Sequence, residues 1–565
     1  MRDGVKLALD LVWPDGHGPF PVVLIRTPYD KVFQRDAPPE VVQGLPYDPT
    51  FLASLIERGY LLAVQDVRGR FNSDGDWYPY FNEGDDGFDT IEWIVAQPWC
   101  NGNVGMIGRS YVGYTQWMAA APRPRGLKAI VPIGAQSDLF RSFPVLNGAF
   151  VVPMAELLVK MGRHSYQVSN FMTDVLRGSE TYFQTLPLAD VPAAAGAETP
   201  QWWVDMMAHP NFDAYWRRGS YDDRWSEIEA PALNVTGWYD LTVDGAITNF
   251  EGMRRHGRGL ARSGQRLVVG PWAHWVNTSS SLSGFDFGNE AVIDLAGYVQ
   301  RFFDRWLKGV SEAIDTSPHV HVFVMGAGEW WADEEWPLPG TEYASFYLRS
   351  DGRAHGDDGG GRLAGELPGT EPPDRYVYDP LDAVPSPWSM HDGPLDERPV
   401  AARPDVLCYT SEPLEAPLDV VGPLSLVLYA SSSARDTDWH VRLADVHPDG
   451  FARFLAHGVL RARFRNSLQD PVLLTPGEIE RFEIGLAATG NRFLPGHRIR
   501  LEVMSSWFPR FDRNLGSGAE NNFLDAQAIV AEQAVFHTES YPSHLLLPVV
   551  RSGRRTSTPP AGARS

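Results

Sequence analysis

The chain has 565 residues, of which 43% are hydrophobic and 21% charged, and this length predicts two or three folded domains rather than one. A formal net charge of −22 argues against a nucleic-acid or membrane partner, because binding to phosphate needs clustered lysine and arginine. The two cysteines, Cys100 and Cys408, cannot build a disulfide framework, and Cys100 is interpreted as a structural thiol. Neither a signal peptide nor a run of 18 apolar residues is found, so a cytoplasmic location is expected.

Short apolar runs rich in β-branched residues alternate with amphipathic helical patterns in two parts of the chain. The predicted strands are Pro21–Thr27, Tyr60–Asp66, Val104–Gly108, Lys128–Ile133, Ala232–Gly237 and Arg266–Gly270. The predicted helices are Thr50–Arg58, Gly84–Gln97, Ser110–Ala120, Asp244–His256 and Glu290–Lys308. Apolar strands that alternate with helices indicate a parallel sheet covered on both faces. Residues 1–142 and 230–315 are therefore predicted to form one α/β domain.

The strand pattern stops between residues 143 and 229, where helical segments rich in tryptophan, methionine and phenylalanine follow one another. An insertion between two strands predicts a cap over the carboxyl edge of the sheet, where loops build sites in open α/β folds. Most of its tryptophans are interpreted as core residues, with one or two rings lining an acyl pocket: Trp202, Trp203 and Trp216. His164 and His209 are interpreted as packing or surface histidines rather than ligands.

Residues 316–550 consist of short alternating strands separated by proline, glycine and aspartate turns. This pattern predicts an antiparallel sandwich or jelly roll. Residues 350–375 are polar and rich in glycine, aspartate and proline, which indicates an exposed loop. The basic tail at residues 551–565 is predicted to be disordered.

The stretch NVGMIGRSYVGYTQW (103–117) places Ser110 between a predicted strand and a predicted helix. It departs from the G-x-S-x-G nucleophile elbow, because the second glycine, Gly113, comes one residue late. In α/β hydrolases the serine, the acid and the histidine follow in this order after strand ends, and Asp240 and His274 meet that requirement. The order indicates a triad, although a chance arrangement of the three residue types is easy to find in a chain of this length.

The stretch GRSYVGYTQW resembles the G-x-S-Y-x-G elbow of the cocaine esterase-like (CocE/NonD) hydrolases, which are related to X-Pro dipeptidyl-peptidases and α-amino-acid ester hydrolases. Similar stretches follow in order along nearly the whole chain: RDGVKLALD, IRTPYDK, QDVRGRFNSDG, CNGNVGMIGRSYVG, TGWYD, VVGPWAHW, RFFDRWLKG and FLPGHRIRLEVMSSWFPRFDRN. The resemblance accounts for the late glycine. It implies an α/β fold, in which an α/β-hydrolase domain carries an inserted helical cap and a C-terminal jelly-roll domain.

By this resemblance Ser110 is the nucleophile, His274 the general base and then acid, and Asp240 the orienting carboxylate. The Tyr29 hydroxyl and the backbone N–H of Tyr111 form the oxyanion hole, and an amide at a helix N-terminus suits that role. The implied reaction is hydrolysis of a carboxylic ester through an acyl-enzyme, with no metal and no cofactor. The expected partner is a small-molecule ester or amide substrate, and a homodimer is an analogy from relatives.

Several residues also have plainer interpretations. Tyr29 by itself is typical of a core tyrosine, and Asp244 of a cap for the helix that begins there. Asp66 and Arg68 suggest a buried ion pair that holds loops together. Arg109, beside the nucleophile, is either an outward-pointing solvated arginine or a partner for an anionic substrate group.

Two other functions stay open at this stage. One is an amide- or peptide-type acylase: an α-amino-acid ester hydrolase, a glutaryl β-lactam acylase or an X-Pro dipeptidyl-peptidase. The other is a non-catalytic ligand-binding protein with a vestigial triad. Leu241 and Thr242, which follow GWYD, differ from the glycine and aromatic residue of a cocaine-cleaving member of the family and argue against cocaine as the substrate.

Overall fold

The computed structural model of the chain describes residues 1–32, 45–46, 48–162, 183–310, 314–356, 359–386 and 393–551. Two large sheets dominate it, one of nine strands and one of twelve. Residues 163–182 of the predicted helical insertion, His164 among them, and nearly all of the predicted tail lie outside the described residues. Within them, no helix is both long and apolar enough to cross a bilayer.

The nine-stranded sheet is parallel except at its two edges, where β1 and β9 run antiparallel to their neighbours. In chain order its strands are β1 (Leu9–Val12), β2 (Phe20–Thr27), β3 (Leu61–Asp66), β4 (Cys100–Arg109), β5 (Leu127–Ile133), β6 (Leu233–Gly237), β7 (Arg266–Gly270), β8 (Val320–Val324) and β9 (Glu329–Asp333). Their spatial order is β1-β3-β2-β4-β5-β6-β7-β8-β9. Every residue of β6, β7 and β8 is buried, as a parallel sheet covered on both faces requires.

Helices cover this sheet and build the insertion. They are α1 (Pro49–Glu57), α2 (Glu83–Val95), α3 (Tyr111–Ala120), α4 (Val152–Met161), α5 (Val191–Ala194), α6 (Gln201–Ala208), α7 (Ala214–Arg217), α8 (Val243–His256), α9 (Gly259–Ser263), α10 (Leu295–Lys308) and α11 (Arg398–Ala401). The bounds of α10 follow from its local sequence. Asp294 caps its first turn, and Gly309 ends the helix with a left-handed backbone at φ 76°. Every residue of α3 is buried.

The C-terminal sheet is mostly antiparallel. Its strands are β10 (Thr341–Arg349), β11 (Arg362–Ala364), β12 (Asp374–Tyr378), β13 (Leu407–Ser411), β14 (Leu418–Ser432), β15 (Asp438–Val446), β16 (Ala452–Arg461), β17 (Glu480–Phe493), β18 (Arg498–Met504), β19 (Ala531–Thr538), β20 (Tyr541–Pro542) and β21 (His544–Val550). The predicted α/β fold with a C-terminal β domain is confirmed. One assignment differs: β8 and β9 were expected in the β domain but belong to the nine-stranded sheet, where β8 pairs in parallel with β7.

The insertion at residues 143–229 begins with a short hairpin, Val145–Leu146 with Ala149–Phe150, and continues with α4 to α7. Trp203 is buried and packs against the Phe150 ring, with ring centres 5.7 Å apart. The Phe150 N–H donates to Asp512 Oδ1 of the β domain at 2.6 Å. The cap is therefore anchored on the β domain as well as joined to the α/β domain.

Candidate active site

Ser110 occupies the sharp turn between β4 and α3. Its backbone, at φ 62° and ψ −128°, lies in a region that only glycine adopts readily. The Ser110 N–H donates to the Ile133 carbonyl at 2.9 Å and so ties the turn to β5. A Cβ on Gly108 would stand 2.0 Å from Val112 Cγ1, and one on Gly113 would stand 2.8 Å from Ala135 Cβ. The late glycine is thus required by close packing, and the strand-to-helix elbow predicted from the sequence is present.

His274 and Asp240 form a buried pair beyond the ends of β7 and β6. His274 Nδ1 lies 2.9 Å from Asp240 Oδ1, and both side chains are at most 2% exposed. Asp240 Oδ1 also accepts hydrogen bonds from the Thr242 N–H and hydroxyl, and Oδ2 accepts one from the Thr236 hydroxyl. Burial raises the pKa of Asp240, but the charge and hydrogen bond of His274 outweigh it, and the pKa is lowered. An ionised Asp240 favours the tautomer with the proton on Nδ1, which leaves Nε2 to act as a base.

Gly134 lies directly after β5, and because it has no side chain there is room for the side chains of Asp240 and His274. Its φ is +51°, and a Cβ there would stand 2.6 Å from Asp240 Oδ2 and 3.2 Å from His274 Nδ1. Its N–H donates to the Val235 carbonyl at 2.8 Å, which fixes the backbone at this place. Gly134 was not among the residues predicted from the sequence, although a glycine directly after a predicted strand was an available signal.

Tyr29 and Tyr111 lie next to Ser110, as the predicted oxyanion hole requires. The Tyr29 phenol lies beside the Ser110 side chain and the Tyr111 backbone N–H. Burial raises the pKa of Tyr29, and these two neighbours oppose that increase. The phenol stays neutral at neutral pH and keeps a proton that it can donate.

The Tyr111 side chain is held by a buried carboxylate that the sequence analysis missed. Its hydroxyl donates to Glu83 Oε1 at 2.9 Å and accepts the Tyr80 N–H at 2.7 Å. Glu83 in turn pairs with Arg26 at 3.0 Å, with both side chains at most 4% exposed. Glu83 therefore positions the residue whose backbone N–H faces Tyr29. As the first residue of α2, it carried only the signal of a helix start.

Three plainer interpretations are changed by the structure. Arg68 pairs with Asp86 and Asp3 rather than with Asp66, whose carboxylate accepts backbone N–H groups. Asp244 lies in the first turn of α8 and accepts the Ala488 N–H at 3.3 Å, so it does not cap the helix. Arg109 is 3% exposed and lies over the Trp275 ring, so it is not a solvated arginine.

The cap residues lie as predicted where the structure describes them. Trp202, Trp203 and Trp216 are buried. His209 stacks on the Tyr215 ring, with centres 4.4 Å apart, and is a packing histidine. Cys100 and Cys408 are both buried and not in a disulfide, which agrees with a structural role for Cys100.

Within the described ranges, one group of three side chains offers the donor atoms of a metal site: Asp445, His447 and His497, whose atoms lie within 4.8 Å of one another. Asp445 Oδ1 is already 2.8 Å from His497 Nδ1, and Oδ2 is 2.9 Å from Arg453 Nη2. A divalent cation there would face the charge of Arg453. These contacts give the group a structural role in joining β15, β16 and the turn before β18.

The fold and this site define a class, the serine hydrolases of the α/β-hydrolase fold. The model of the X-Pro dipeptidyl-peptidase (S15) family matches residues 3–276, and that of the X-Pro dipeptidyl-peptidase C-terminal non-catalytic domain matches residues 312–546. The cocaine esterase of Rhodococcus sp. (strain MB1 Bresler) is 37% identical over 98% of this chain and 97% of its own. The chain therefore belongs to the cocaine esterase-like branch of the S15 family.

Two solved structures are similar over nearly the whole chain. One is an aminopeptidase from a marine sediment Thaumarchaeota archaeon, with a TM-score of 0.84, 28% identity and coverage of 98% of this chain and 95% of that one. The other is an α-amino acid ester hydrolase, with a TM-score of 0.83, 28% identity and coverage of 97% and 95%. The predictions of an enzyme and of a serine hydrolase of the esterase class are confirmed.

Replacing Tyr29 by phenylalanine is expected to lower kcat by about 10²–10³-fold, the typical effect of losing one oxyanion donor. The reason is that the Tyr111 N–H would remain as a single donor to the developing negative charge. The measurement is steady-state hydrolysis of an activated ester. Tyr78→Phe is the control, because Tyr78 bonds Asp205 and Tyr215 instead of Ser110. An unchanged kcat in Tyr29→Phe would exclude this donor.

Proposed function

We propose that the enzyme hydrolyses small carboxylic esters through an acyl-enzyme on Ser110, with His274 as base and Asp240 as its orienting carboxylate. The observation that carries the proposal is the serine on a strained strand-to-helix elbow, beside Tyr29, together with a buried aspartate–histidine pair. Ser110 Oγ attacks the carbonyl carbon while His274 Nε2 takes the hydroxyl proton. The carbonyl oxygen becomes negative and accepts hydrogen bonds from the Tyr29 hydroxyl and the Tyr111 N–H.

Collapse of the tetrahedral intermediate completes acylation. The imidazolium of His274 donates its proton to the leaving alkoxide, and the C–O bond of the ester breaks. A water molecule then gives its proton to His274 and attacks the acyl carbon, and the second collapse frees the acid and restores Ser110. Throughout both halves Asp240 stays ionised and stabilises the imidazolium, since its pKa is lowered by His274.

A small cavity lies beside Asp240, and its lining does not include Ser110 or His274. It has a volume of about 50 Å³ and is lined mainly by apolar side chains, among them Phe143, Leu146, Leu241, Phe454 and Phe511. As a site for the acyl group, a cavity of this size would favour short chains over long ones. It also contains Leu241, which the sequence analysis noted as a departure from a cocaine-cleaving member of the family.

A second candidate is an acylase for substrates with an α-amino group, as the names of the two structural neighbours suggest. Asp244 lines the same cavity, and a carboxylate there could pair with an ammonium group. Burial raises the pKa of Asp244 to about 6, so that the carboxylate is mostly ionised at neutral pH and mostly neutral below pH 6. Among the described residues that line this cavity, Asp244 is the one carboxylate outside the proposed triad, and simple esters are the leading proposal.

A substrate panel separates these functions. It sets p-nitrophenyl esters from acetate to decanoate beside amino-acid esters, amino-acid amides and X-Pro anilides. We expect kcat/KM for the short acyl esters to exceed that for the X-Pro anilides by at least about tenfold. One or two groups that do not fit a binding pocket lower kcat/KM by about that factor. A preference for amino-acid esters that is lost in Asp244→Asn would establish the second candidate instead. A preference for X-Pro anilides would overturn the esterase proposal.

A further inference from the structure

Arg109 and Trp275 make a contact that joins the two loops of the site. Arg109 directly precedes Ser110, and Trp275 directly follows His274. The guanidinium carbon of Arg109 lies 3.7 Å from the centre of the Trp275 ring. The centre of the same ring lies 6.0 Å from that of the His274 imidazole. One stacked pair thus connects the neighbour of the nucleophile with the neighbour of the base.

The sheet does not join these two loops directly. Ser110 follows β4 and His274 follows β7, and two strands, β5 and β6, lie between them. At about 4.8 Å between neighbouring strands, β4 and β7 are roughly 14 Å apart in the sheet. Backbone hydrogen bonds join each loop to the segment next to it in the sheet. The Ser110 N–H, for example, donates to the Ile133 carbonyl at the end of β5. A direct contact across the gap is a separate constraint on where Ser110 and His274 meet.

The chemistry of the pair suits this task. A guanidinium is planar and weakly hydrated, so it stacks on an indole face, and the attraction grows when water is excluded. Arg109 is 3% exposed, while Trp275 is only partly buried and covers it. A lysine in its place would keep the charge but lose the flat contact with the ring.

We propose that Arg109 and Trp275 act as positioning residues, a stacked latch that holds Ser110 and His274 in register for proton transfer. The inference rests on the proposed function, because it assigns the latch to the acyl-transfer step. Both side chains act through their neighbours and neither is assigned contact with the substrate. The expected signature is a loss in kcat with little change in KM, since proton transfer depends on geometry more steeply than binding does.

The charge of Arg109 also supports a role in the acyl-transfer step. The charge of Arg109 lowers the pKa of Tyr29, against the increase that burial causes. A cation that stabilises negative charge on the Tyr29 oxygen also stabilises the oxyanion that accepts its hydrogen bond. Arg109→Lys keeps that charge, so it should retain more activity than Arg109→Met, which has similar length and no charge.

The test is a double-mutant cycle on kcat for an activated ester. Arg109→Met and Trp275→Leu are each expected to lower kcat about tenfold, with KM within about twofold, and the double variant should fall no further than the worse single. Trp275→Phe, which keeps an aromatic face, is expected to stay within about threefold of the wild type. Labelling of Ser110 by a fluorophosphonate should reach the same final stoichiometry in all variants, but more slowly in Arg109→Met, Trp275→Leu and the double variant.

Arg305→Met is the matched control, because Arg305 lies over the Trp306 ring at 4.9 Å on α10 and should leave kcat unchanged. The latch is overturned if kcat is unchanged in Arg109→Met and Trp275→Leu, or if their losses multiply to about a hundredfold in the double variant. Wild-type protein that neither labels nor hydrolyses esters would instead contradict the proposed function. Thermal unfolding of each variant identifies any loss of activity that comes from misfolding.

Discussion

Ser110→Ala is expected to lower kcat for ester hydrolysis by about 10⁶-fold, the effect of removing the nucleophile from a serine triad. The whole acyl-enzyme route requires the Oγ atom, so the only rate left is that of water attack helped by Tyr29 and the Tyr111 N–H. The double variant Ser110→Ala/His274→Ala should be no slower than the single one, because the two residues act as one unit. Initial rates on an activated ester, with burst titration of active sites, measure both.

A second variant at this position gives a result that activity alone cannot. Ser110→Gly should be as inactive as the alanine variant and yet more stable than the wild type by about 1 kcal/mol, because glycine accepts φ 62° without the strain that a Cβ causes. Alanine keeps the Cβ and should unfold close to the wild type. Urea unfolding of the three proteins checks the order. Activity remaining in Ser110→Ala, or a glycine variant less stable than the alanine one, would contradict the strained-elbow account.

Local signals were sufficient for most of the α/β domain. Six predicted strands correspond to β2 to β7 within a few residues, because strands buried on both faces are continuous apolar runs. β8 was assigned to the wrong sheet, since its HVHV pattern alternates like a strand with one solvated face. In the structure His321 is buried, with its Nε2 3.1 Å from the Ser317 hydroxyl, so both faces of β8 are covered.

The site was predictable only in part, for a similar reason. The order of Ser110, Asp240 and His274, together with strand ends, placed the triad candidates at one edge of the sheet. Their supporting residues are set by contacts between distant segments that no local pattern reports. Arg109 suggested a solvated side chain until Trp275, 166 positions further on, was seen to cover it.

Glu83 illustrates the same limit. Its carboxylate reaches Tyr111 only because α2 and α3 pack side by side, and neither sequence window contains that information. Gly134 could not be predicted for the same reason. Its lack of a side chain matters only because the folded chain places Asp240 and His274 against it. The residues that do the proposed chemistry could thus be predicted from order and resemblance, while those that hold them could not.

Asp240→Asn is expected to lower kcat by about 10⁴-fold at neutral pH while leaving the fold intact. An asparagine amide facing Nδ1 would donate a hydrogen bond and place the proton of His274 on Nε2, which removes the base. The amide nitrogen would take the place of Oδ1, which also accepts the Thr242 N–H and hydroxyl, so the variant is expected to lose about 1–3 kcal/mol of stability and still fold. Ester hydrolysis measured beside thermal unfolding tests this. A loss of activity that parallels a loss of folded protein would show that Asp240 is structural rather than orienting.

The pH dependence of unfolding gives an independent check on the same pair. The pKa of Asp240 is lowered in the folded state, so its contribution to stability is present above the unfolded pKa of about 3.9 and is lost as pH falls through the folded pKa. Asp240→Asn lacks this group and should lose less stability than the wild type on acidification below about pH 4. Identical acid-unfolding profiles for the two proteins would mean that the pKa is not lowered by folding.

Gly134→Ala tests the position of the pair without altering a charge. Its Cβ would stand 2.6 Å from Asp240 Oδ2, so the carboxylate or the backbone must move, and a displacement of this kind is expected to lower kcat by about 10–100-fold. Gly259→Ala is the matched control, since Gly259 has the same φ of +51° but nothing within 4 Å of the added atom. Both variants place a Cβ at the same φ, and of the two only Gly134→Ala brings it against Asp240. If both lower kcat equally, strain rather than displacement of Asp240 is the cause.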